Sequence, residues 1–140
     1  MRAINILLVE DNEGDILLTK DAFEESNMLT TITVIRDGAA AISFFESKQE
    51  MDTPPDLVLL DINLPKVSGY EVLTFIKSNK KHQHIPVIVL TTSAAEKDIE
   101  FCYQQYANCY ITKPTEITEF IQTIIKIEDF WTNIVSIPSK

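Results

Sequence analysis

The chain has 140 residues and a formal net charge of −9, from 21 acidic and 12 basic residues. This length predicts one domain, and a hydrophobic content of 45% is typical of a globular protein rather than a disordered one. The acidic excess argues against direct nucleic-acid binding. The apolar run at residues 4–9 is too short to span a membrane and precedes no signal-peptide cleavage site, so we expect a cytoplasmic protein.

Five stretches have the composition of β-strands. Three of them are apolar runs, of which only the first is interrupted, by Asn5, and such runs are typical of strands buried on both faces of a parallel sheet. The fourth is β-branched throughout, and the last is a short run near the end of the chain. In chain order, the predicted strands are residues 4–9, 31–35, 57–60, 87–90 and 110–111.

Stretches with helical spacing of apolar residues follow the strands. Two of these stretches begin with the Ser-x-x-Glu signature of a capping box, at Ser68 and at Ser93. Five strands that alternate with five helices predict a parallel sheet with helices on both faces. The predicted fold class is α/β, a flavodoxin-like doubly wound (βα)5 sandwich with the strand order 2-1-3-4-5.

Polar residues end four of the predicted strands. Glu10 and Asp11 end the first, Asp61 the third, Thr91 the fourth and Lys113 the fifth. The first and third strands are neighbours in the predicted order, so the three carboxylates should share one pocket. Such carboxylates repel one another unless a cation lies among them, and a set of oxygen ligands with open positions suits Mg²⁺.

These residue types are suited to phosphoryl transfer. A metal ion and Lys113 would neutralise the phosphoryl oxygens, and Thr91 would donate from its hydroxyl. A carboxylate would attack phosphorus in line. We predict that Asp61 is the nucleophile because it lies at the centre of the pocket.

The chain resembles a response-regulator receiver domain over residues 4–125. The resemblance is carried by five separated motifs that agree with the family in identity, in order and in position at the strand ends. They are Glu10-Asp11, Asp61, the turn with Pro65 and Gly69, Thr91, and Lys113-Pro114.

The resemblance implies that a histidine kinase phosphorylates Asp61. It also implies that Glu10, Asp11 and Asp61 hold Mg²⁺ together with the main-chain carbonyl of Asn63. Such a domain is a switch rather than an enzyme, although it assists its own phosphotransfer and dephosphorylation.

The resemblance also assigns the residues that transmit the signal. Lys113 should contact the phosphoryl group through its side chain, and its peptide bond to Pro114 should be cis, as is usual in the family. Thr91 should move towards the phosphate, and Tyr110 should then turn inward. This movement would remodel a signalling surface formed by helix 4, strand 5 and helix 5.

Two further stretches are similar to single-domain receivers that pair with bacterial phytochrome kinases. They are the polar loop at residues 49–55 and the tail at residues 130–135. We expect the receiver domain to span residues 1–128 and an apolar tail to span residues 129–140, with no output domain.

The apolar residues near the end of the chain predict a homodimer. Ile127, Phe130, Trp131 and Ile134 exceed what the last helix needs for its own core, and exposed apolar patches are commonly buried against a partner. The alternative is a tail that folds back on its own domain.

Other functions fit the sequence less well. A haloacid-dehalogenase-type phosphatase would need a second Asp where this chain has Asn63, and its nucleophile would follow the first strand. A flavodoxin would not place the Glu10-Asp11 pair at its phosphate loop. The remaining alternative is a receiver-like interaction module that works without phosphorylation.

Cys102 and Cys109 have no disulfide or metal spacing, and His82 is expected in a solvated loop.

Overall fold

A computed structural model describes residues 3–26, 29–47 and 54–137 of the chain. Five strands alternate with five helices, and a π-helical turn, Phe130–Ile134, continues the last helix. Residues 49–53 of the predicted polar loop lie outside the described residues. The elements are β1 Ile4–Val9, α1 Glu13–Glu25, β2 Thr30–Ile35, α2 Gly38–Ser47, β3 Leu57–Leu60, α3 Gly69–Ser78, β4 Val87–Thr91, α4 Glu96–Gln104, β5 Cys109–Thr112 and α5 Ile117–Asp129.

The five strands form one parallel sheet in the order β2-β1-β3-β4-β5, which confirms the predicted topology. In the register between β1 and β3, Val9 lies opposite Leu60. The residues that follow these two positions, Glu10 and Asp61, therefore emerge side by side at the carboxyl edge of the sheet. The main-chain N–H of Asp61 donates to the carbonyl of Val9 across 3.0 Å, which fixes this alignment.

The strand side chains alternate between two apolar cores, as the two-residue period of a strand requires. Leu7 and Val9 point to the core covered by α2, α3 and α4, whereas Ile6 and Leu8 point to the core covered by α1 and α5. Both faces of the central strands are covered, which explains why β3 and β4 are apolar at every position but the terminal Thr91 and buried throughout.

The starts of α3 and α4 differ from the predicted capping boxes. Ser68 does precede α3, but its side chain makes no capping hydrogen bond. The box predicted at Ser93 is wrong, because α4 begins at Glu96 with Ala95 at the N-cap. The Ser93 hydroxyl instead donates to Oδ2 of Asp98 across 2.5 Å.

Two glycines let the loop after β3 pack closely. A Cβ atom on Gly69 would lie 2.3 Å from the carbonyl oxygen of Asp61, and one on Gly38 would lie 1.8 Å from the carbonyl oxygen of Val67. Neither distance is possible for a side chain, so both positions require glycine. The loop that carries Asp61 is thereby held between the starts of α2 and α3.

The end of α5 packs partly against its own domain. Ile127 is buried in the core beneath α1 and α5, so it is not the surplus exposed side chain that the sequence predicted. Trp131, one turn later, also packs against that core. Phe130 and Ile134 are more exposed, with 44% and 64% of their surfaces accessible to solvent. The end of the helix thus carries both buried and exposed apolar side chains.

The structure also shows the surroundings of the histidine and cysteine side chains that the sequence analysis considered. His82 is buried and its ring lies 5.0 Å from that of Phe45, so the prediction of a solvated position is wrong. Cys102 and Cys109 are free thiols, and burial raises the pKa of Cys102 to about 11, which makes it unreactive. In the described part of the chain, no helix is long and apolar enough to cross a membrane.

Candidate functional site

Three carboxylates meet where β1 and β3 end. Glu10, Asp11 and Asp61 each place a carboxylate oxygen within 4.8 Å of the other two. Glu10 and Asp61 are buried, whereas Asp11 is exposed. The predicted acidic cluster is therefore assembled, with one side open to solvent.

Lys113 reaches this cluster from the loop between β5 and α5. Its main-chain N–H donates to the carbonyl of Thr91 across 2.7 Å, which extends the pairing of β4 with β5 by one residue. Its buried ammonium donates to Oε1 of Glu10 at 2.6 Å and to Oδ2 of Asp61 at 2.9 Å. The peptide bond to Pro114 is trans, since no described residue has a cis peptide bond, so the expected cis bond is absent.

Lys113 has a third acidic partner that the sequence did not indicate. Oδ2 of Asp15 accepts from the Lys113 ammonium at 2.8 Å. Asp15 lies in the first turn of α1, where Asn12 caps the helix by accepting from the Asp15 main-chain N–H at 2.9 Å. The available signal was an acidic residue four positions after Asp11, which a helix starting at residue 13 turns back towards the site.

Burial and charge shift two pKa values in this pocket. Burial raises the pKa of Glu10 to about 7, and the hydrogen bond from Lys113 opposes the change. Burial alone would lower the pKa of Lys113, but its hydrogen bonds to Asp15 and Glu10 outweigh burial and raise it. The ammonium is therefore charged at any physiological pH.

The loop after β3 connects Asp61 to Thr91. The main-chain N–H of Asn63 donates to Oδ1 of Asp61 at 2.9 Å, and its side-chain amide donates to Oγ1 of Thr91 at 3.3 Å. Thr91 is completely buried at the end of β4. Asp61 thus uses one carboxylate oxygen for Asn63 and the other for Lys113.

Tyr110 lies on β5 and is half-buried. Its hydroxyl donates to the carbonyl of Ser93 at 2.8 Å, in the segment that follows Thr91. Asp98 accepts from the Ser93 hydroxyl and from the hydroxyl of Tyr70 on α3. A continuous set of hydrogen bonds therefore joins β5 to α4 and α3 beside the acidic pocket.

The donor set fits a divalent cation. Within the pocket, the four carboxyl groups of Glu10, Asp11, Asp15 and Asp61 outnumber the single ammonium of Lys113, so an excess of negative charge remains even when Glu10 is protonated. Carboxylate oxygens are the ligands that hard divalent cations prefer, and the exposed position of Asp11 leaves a path for entry. We therefore assign a divalent-cation site to the cluster of Glu10, Asp11 and Asp61.

The order of the sheet, the acidic cluster at its carboxyl edge and the buried lysine define a phosphorylation-dependent signalling switch. Residues 6–125 match the family described as the response regulator receiver domain, and the chain belongs to that family. This result confirms the family inferred from the five motifs.

Relatives extend the similarity over almost the whole chain. Response regulator Rcp1 of Synechocystis sp. is 40% identical over 136 residues, which are 96% of this chain and 92% of Rcp1. The crystal structure of the phosphorylated cyanobacterial phytochrome response regulator RcpA is 41% identical, with a TM-score of 0.93, and covers 99% of this chain and 100% of RcpA. The Mn²⁺-bound form of Rcp1 is 39% identical, with a TM-score of 0.91, and covers 97% of this chain and 99% of that structure.

Proposed function

We propose that Asp61 is the phosphoacceptor of this receiver and that a sensor histidine kinase supplies the phosphoryl group. The observation that carries the proposal is the contact of Asp61 with the buried Lys113 ammonium, beside Glu10 and Asp11. Asp61 follows β3, the middle strand of the five, and its two carboxylate oxygens contact Asn63 and Lys113.

The chemistry follows from the contacts of Asp61. One of its oxygens attacks phosphorus, so that a P–O bond forms while the P–N bond to the kinase histidine breaks. Lys113 then compensates the negative charge on the phosphoryl oxygens, and the Thr91 hydroxyl donates a hydrogen bond to one of them. Mg²⁺ held by Glu10, Asp11, Asp61 and the Asn63 carbonyl would supply further charge compensation. The same groups assist hydrolysis when water attacks the phosphoryl group, so the domain takes part in its own dephosphorylation without turning over a separate substrate.

We propose that the signal leaves through α4, β5 and α5. Thr91 would release Asn63 and turn towards the phosphoryl group, which carries about −1.5 to −2 charges. Tyr110 would then exchange its hydrogen bond to Ser93 for a position nearer the core. Because Ser93 also contacts Asp98 on α4, this movement alters the hydrogen bonds of two elements at once.

The partner kinase is proposed to be a phytochrome. The support is that the similar RcpA is described as a cyanobacterial phytochrome response regulator and aligns with nearly the full length of this chain. The proposed cytoplasmic location is consistent with a histidine kinase partner, and the free thiols of Cys102 and Cys109 fit a reducing compartment.

We also propose a homodimer that uses the exposed side of the α5 end. Phe130 and Ile134 are the exposed apolar residues there. An apolar groove of about 500 Å³ runs between β5 and α5, and Phe130 lines it together with Ile111 and Trp131. A two-fold dimer could seat Phe130 of one protomer in this groove of the other, and aromatic residues commonly dominate such contacts.

Labelling with acetyl phosphate and Mg²⁺ tests the phosphoacceptor. Intact mass should show one added phosphoryl group on the wild type and none on Asp61→Asn. Labelling that survives this substitution would disprove the role of Asp61. A wild type that takes no label from acetyl phosphate or from a kinase would favour a module that works without phosphorylation.

Sedimentation tests the dimer separately. A Phe130→Ala/Ile134→Ala variant should shift the equilibrium towards monomer, whereas Leu17→Ala, which removes another exposed apolar residue, should not. A wild type that stays monomeric at tens of micromolar, with and without phosphorylation, would exclude the proposed dimer.

A further inference from the structure

The ammonium of Lys113 has three N–H donors, and each of them has a carboxylate partner. Two partners, Glu10 and Asp61, belong to the acidic cluster. The third, Asp15, lies outside that cluster and contacts the ammonium at 2.8 Å. The Lys113 side chain is 4% exposed and that of Asp15 is 25% exposed, so this ion pair is not a surface contact of the kind that contributes little.

Asp15 is itself held in place by the start of α1. Its main-chain N–H donates to Oδ1 of Asn12, and its carbonyl accepts from the Thr19 hydroxyl at 2.7 Å. A carboxylate in the first helical turn is also favoured by the positive end of the helix dipole. The acceptor for Lys113 is therefore fixed to an element that packs against α5 and not to the loop that carries Asp61.

We propose that Asp15 is a positioning residue for phosphoryl transfer, holding the Lys113 ammonium beside Asp61. This inference rests on the proposed role of Asp61. Glu10 and Asp61 are the residues whose surroundings change when a cation or a phosphoryl group enters, so their contacts with Lys113 depend on the state of the site. Asp15 belongs to neither group, and its contact keeps one N–H of the lysine engaged while another faces the phosphoryl oxygens.

Two substitutions of Asp15 distinguish its role in positioning Lys113 from the effect of its negative charge. Asp15→Ala removes the acceptor, whereas Asp15→Asn removes the charge but retains a carbonyl oxygen that can accept from Lys113. Asp21→Ala is the matched control, because Asp21 is an exposed acidic residue on the same helix. The initial rate of labelling is followed by intact mass over a range of acetyl phosphate concentrations at fixed Mg²⁺. A second readout is the ¹⁵N signal of the Lys113 ammonium in the metal-free, unphosphorylated protein, assigned by its loss in Lys113→Arg.

We expect Asp15→Ala to lower the maximal rate by about tenfold or more while the half-saturating concentration changes by less than about threefold, as expected for loss of orientation. The Lys113 signal should broaden or disappear in this variant. Asp15→Asn should keep the signal and a maximal rate within about threefold of the wild type. Asp21→Ala should behave as the wild type in both readouts.

Several results would overturn the proposal. These are a wild-type rate and an intact Lys113 signal in Asp15→Ala, equal losses in Asp15→Ala and Asp15→Asn, or faster labelling of Asp15→Ala. If Asp15→Ala fails to fold, Asp15→Ser is judged by the same two readouts. If the wild type takes no label, the role of Asp61 fails, and the Lys113 signal alone then decides whether Asp15 holds the lysine.

Discussion

Asn63 donates a hydrogen bond from its side-chain amide to Oγ1 of Thr91 across 3.3 Å. The contact joins the loop after β3 to the end of β4 and holds the Thr91 hydroxyl next to the loop that carries Asp61. The Thr91 hydroxyl accepts this hydrogen bond and keeps its own O–H to donate, so we expect it to turn towards a phosphoryl group on Asp61. In the unphosphorylated protein, Asn63 therefore contacts Thr91 through its side chain and Asp61 through its main chain.

The Asn63 contact predicts that Asn63→Ala releases Thr91 without abolishing phosphorylation. The Asp61 contact survives because the main-chain N–H of Asn63 makes it, and the lost neutral hydrogen bond costs about 1 kcal/mol or less. The Thr91 methyl signal in NMR spectra should shift in the unphosphorylated variant, and labelling by acetyl phosphate should persist. An unchanged methyl signal would show that the Asn63 amide does not hold Thr91.

The Thr91→Ala variant should accept a phosphoryl group on Asp61 but fail to transmit the resulting conformational change to Tyr110. The substitution removes the only side chain in the proposed relay that can move from Asn63 to the phosphoryl group. Fluorotyrosine NMR should show a phosphorylation-dependent change at Tyr110 in the wild type and a much smaller one in the variant. The Tyr110 signal is assigned by its absence from Tyr110→Phe. Equal responses in the two proteins would contradict the relay.

Mg²⁺ should stabilise the unphosphorylated protein, because it relieves repulsion among the clustered carboxylates. At about 100 times its dissociation constant, an ion that binds only the folded state adds about 2.7 kcal/mol to the free energy of unfolding. Thermal melts with and without Mg²⁺ measure the gain. Asp11→Asn should reduce it, and Asp21→Asn should leave it unchanged. A wild-type melting temperature that does not respond to millimolar Mg²⁺ would count against the cation site.

Glu128 should make stability fall as the pH rises. Its carboxylate is 1% exposed, and neither oxygen has a hydrogen-bond partner of good geometry in the described part of the chain. Burial raises the pKa of Glu128 above its ordinary value of 4.5, and the nearby hydroxyls of Ser26 and Thr30 only partly oppose the shift. Above pH 4.5 the folded state therefore keeps a proton that the unfolded state releases. The contribution of Glu128 to the free energy of unfolding is fully present below pH 4.5 and is lost as the pH rises through the raised pKa of the folded state.

Replacement of Glu128 tests this pH dependence. Glu128→Met should raise the free energy of unfolding at pH 7 to 8 by about 1 to 2 kcal/mol, because it removes a carboxyl group whose charged form is costly to bury. Glu128→Gln should flatten the pH profile with a smaller gain in stability. Chemical unfolding between pH 4.5 and 8 measures both effects. A wild-type profile that rises with pH to the same degree as that of Glu128→Gln would disprove the assignment.

The sheet and most of the site followed from the sequence because their signals are local. Apolar runs such as residues 57–60 predict buried strands, and the polar residue that ends each run must emerge at the edge of a parallel sheet. Asp61 was found in this way. Asp15 was not, because it does not end a strand, and its spacing from Asp11 has meaning only once the start of α1 is known.

The remaining errors arise where one side chain has several local partners. Ser93 carries a cap signature, but Asp98 offers its hydroxyl a charged acceptor, so α4 starts later. At the end of α5, Ile127 and Trp131 pack against the core, whereas Phe130 and Ile134 are exposed. Composition showed an apolar excess there, and only the structure separates the buried residues from the exposed ones.

The helical path from Ile117 to Ile134 is unbroken, so a small tilt at its start produces a larger displacement at Ile134. The path starts four residues after Lys113 and spans roughly 25 Å at an ordinary helical rise. A tilt of about 5° at its start would carry the far end through about 2 Å, a distance comparable to the radius of a side-chain methyl group. Phe130 and Ile134 would thus amplify a sub-ångström adjustment around the lysine into a displacement large enough for a neighbouring molecule to detect.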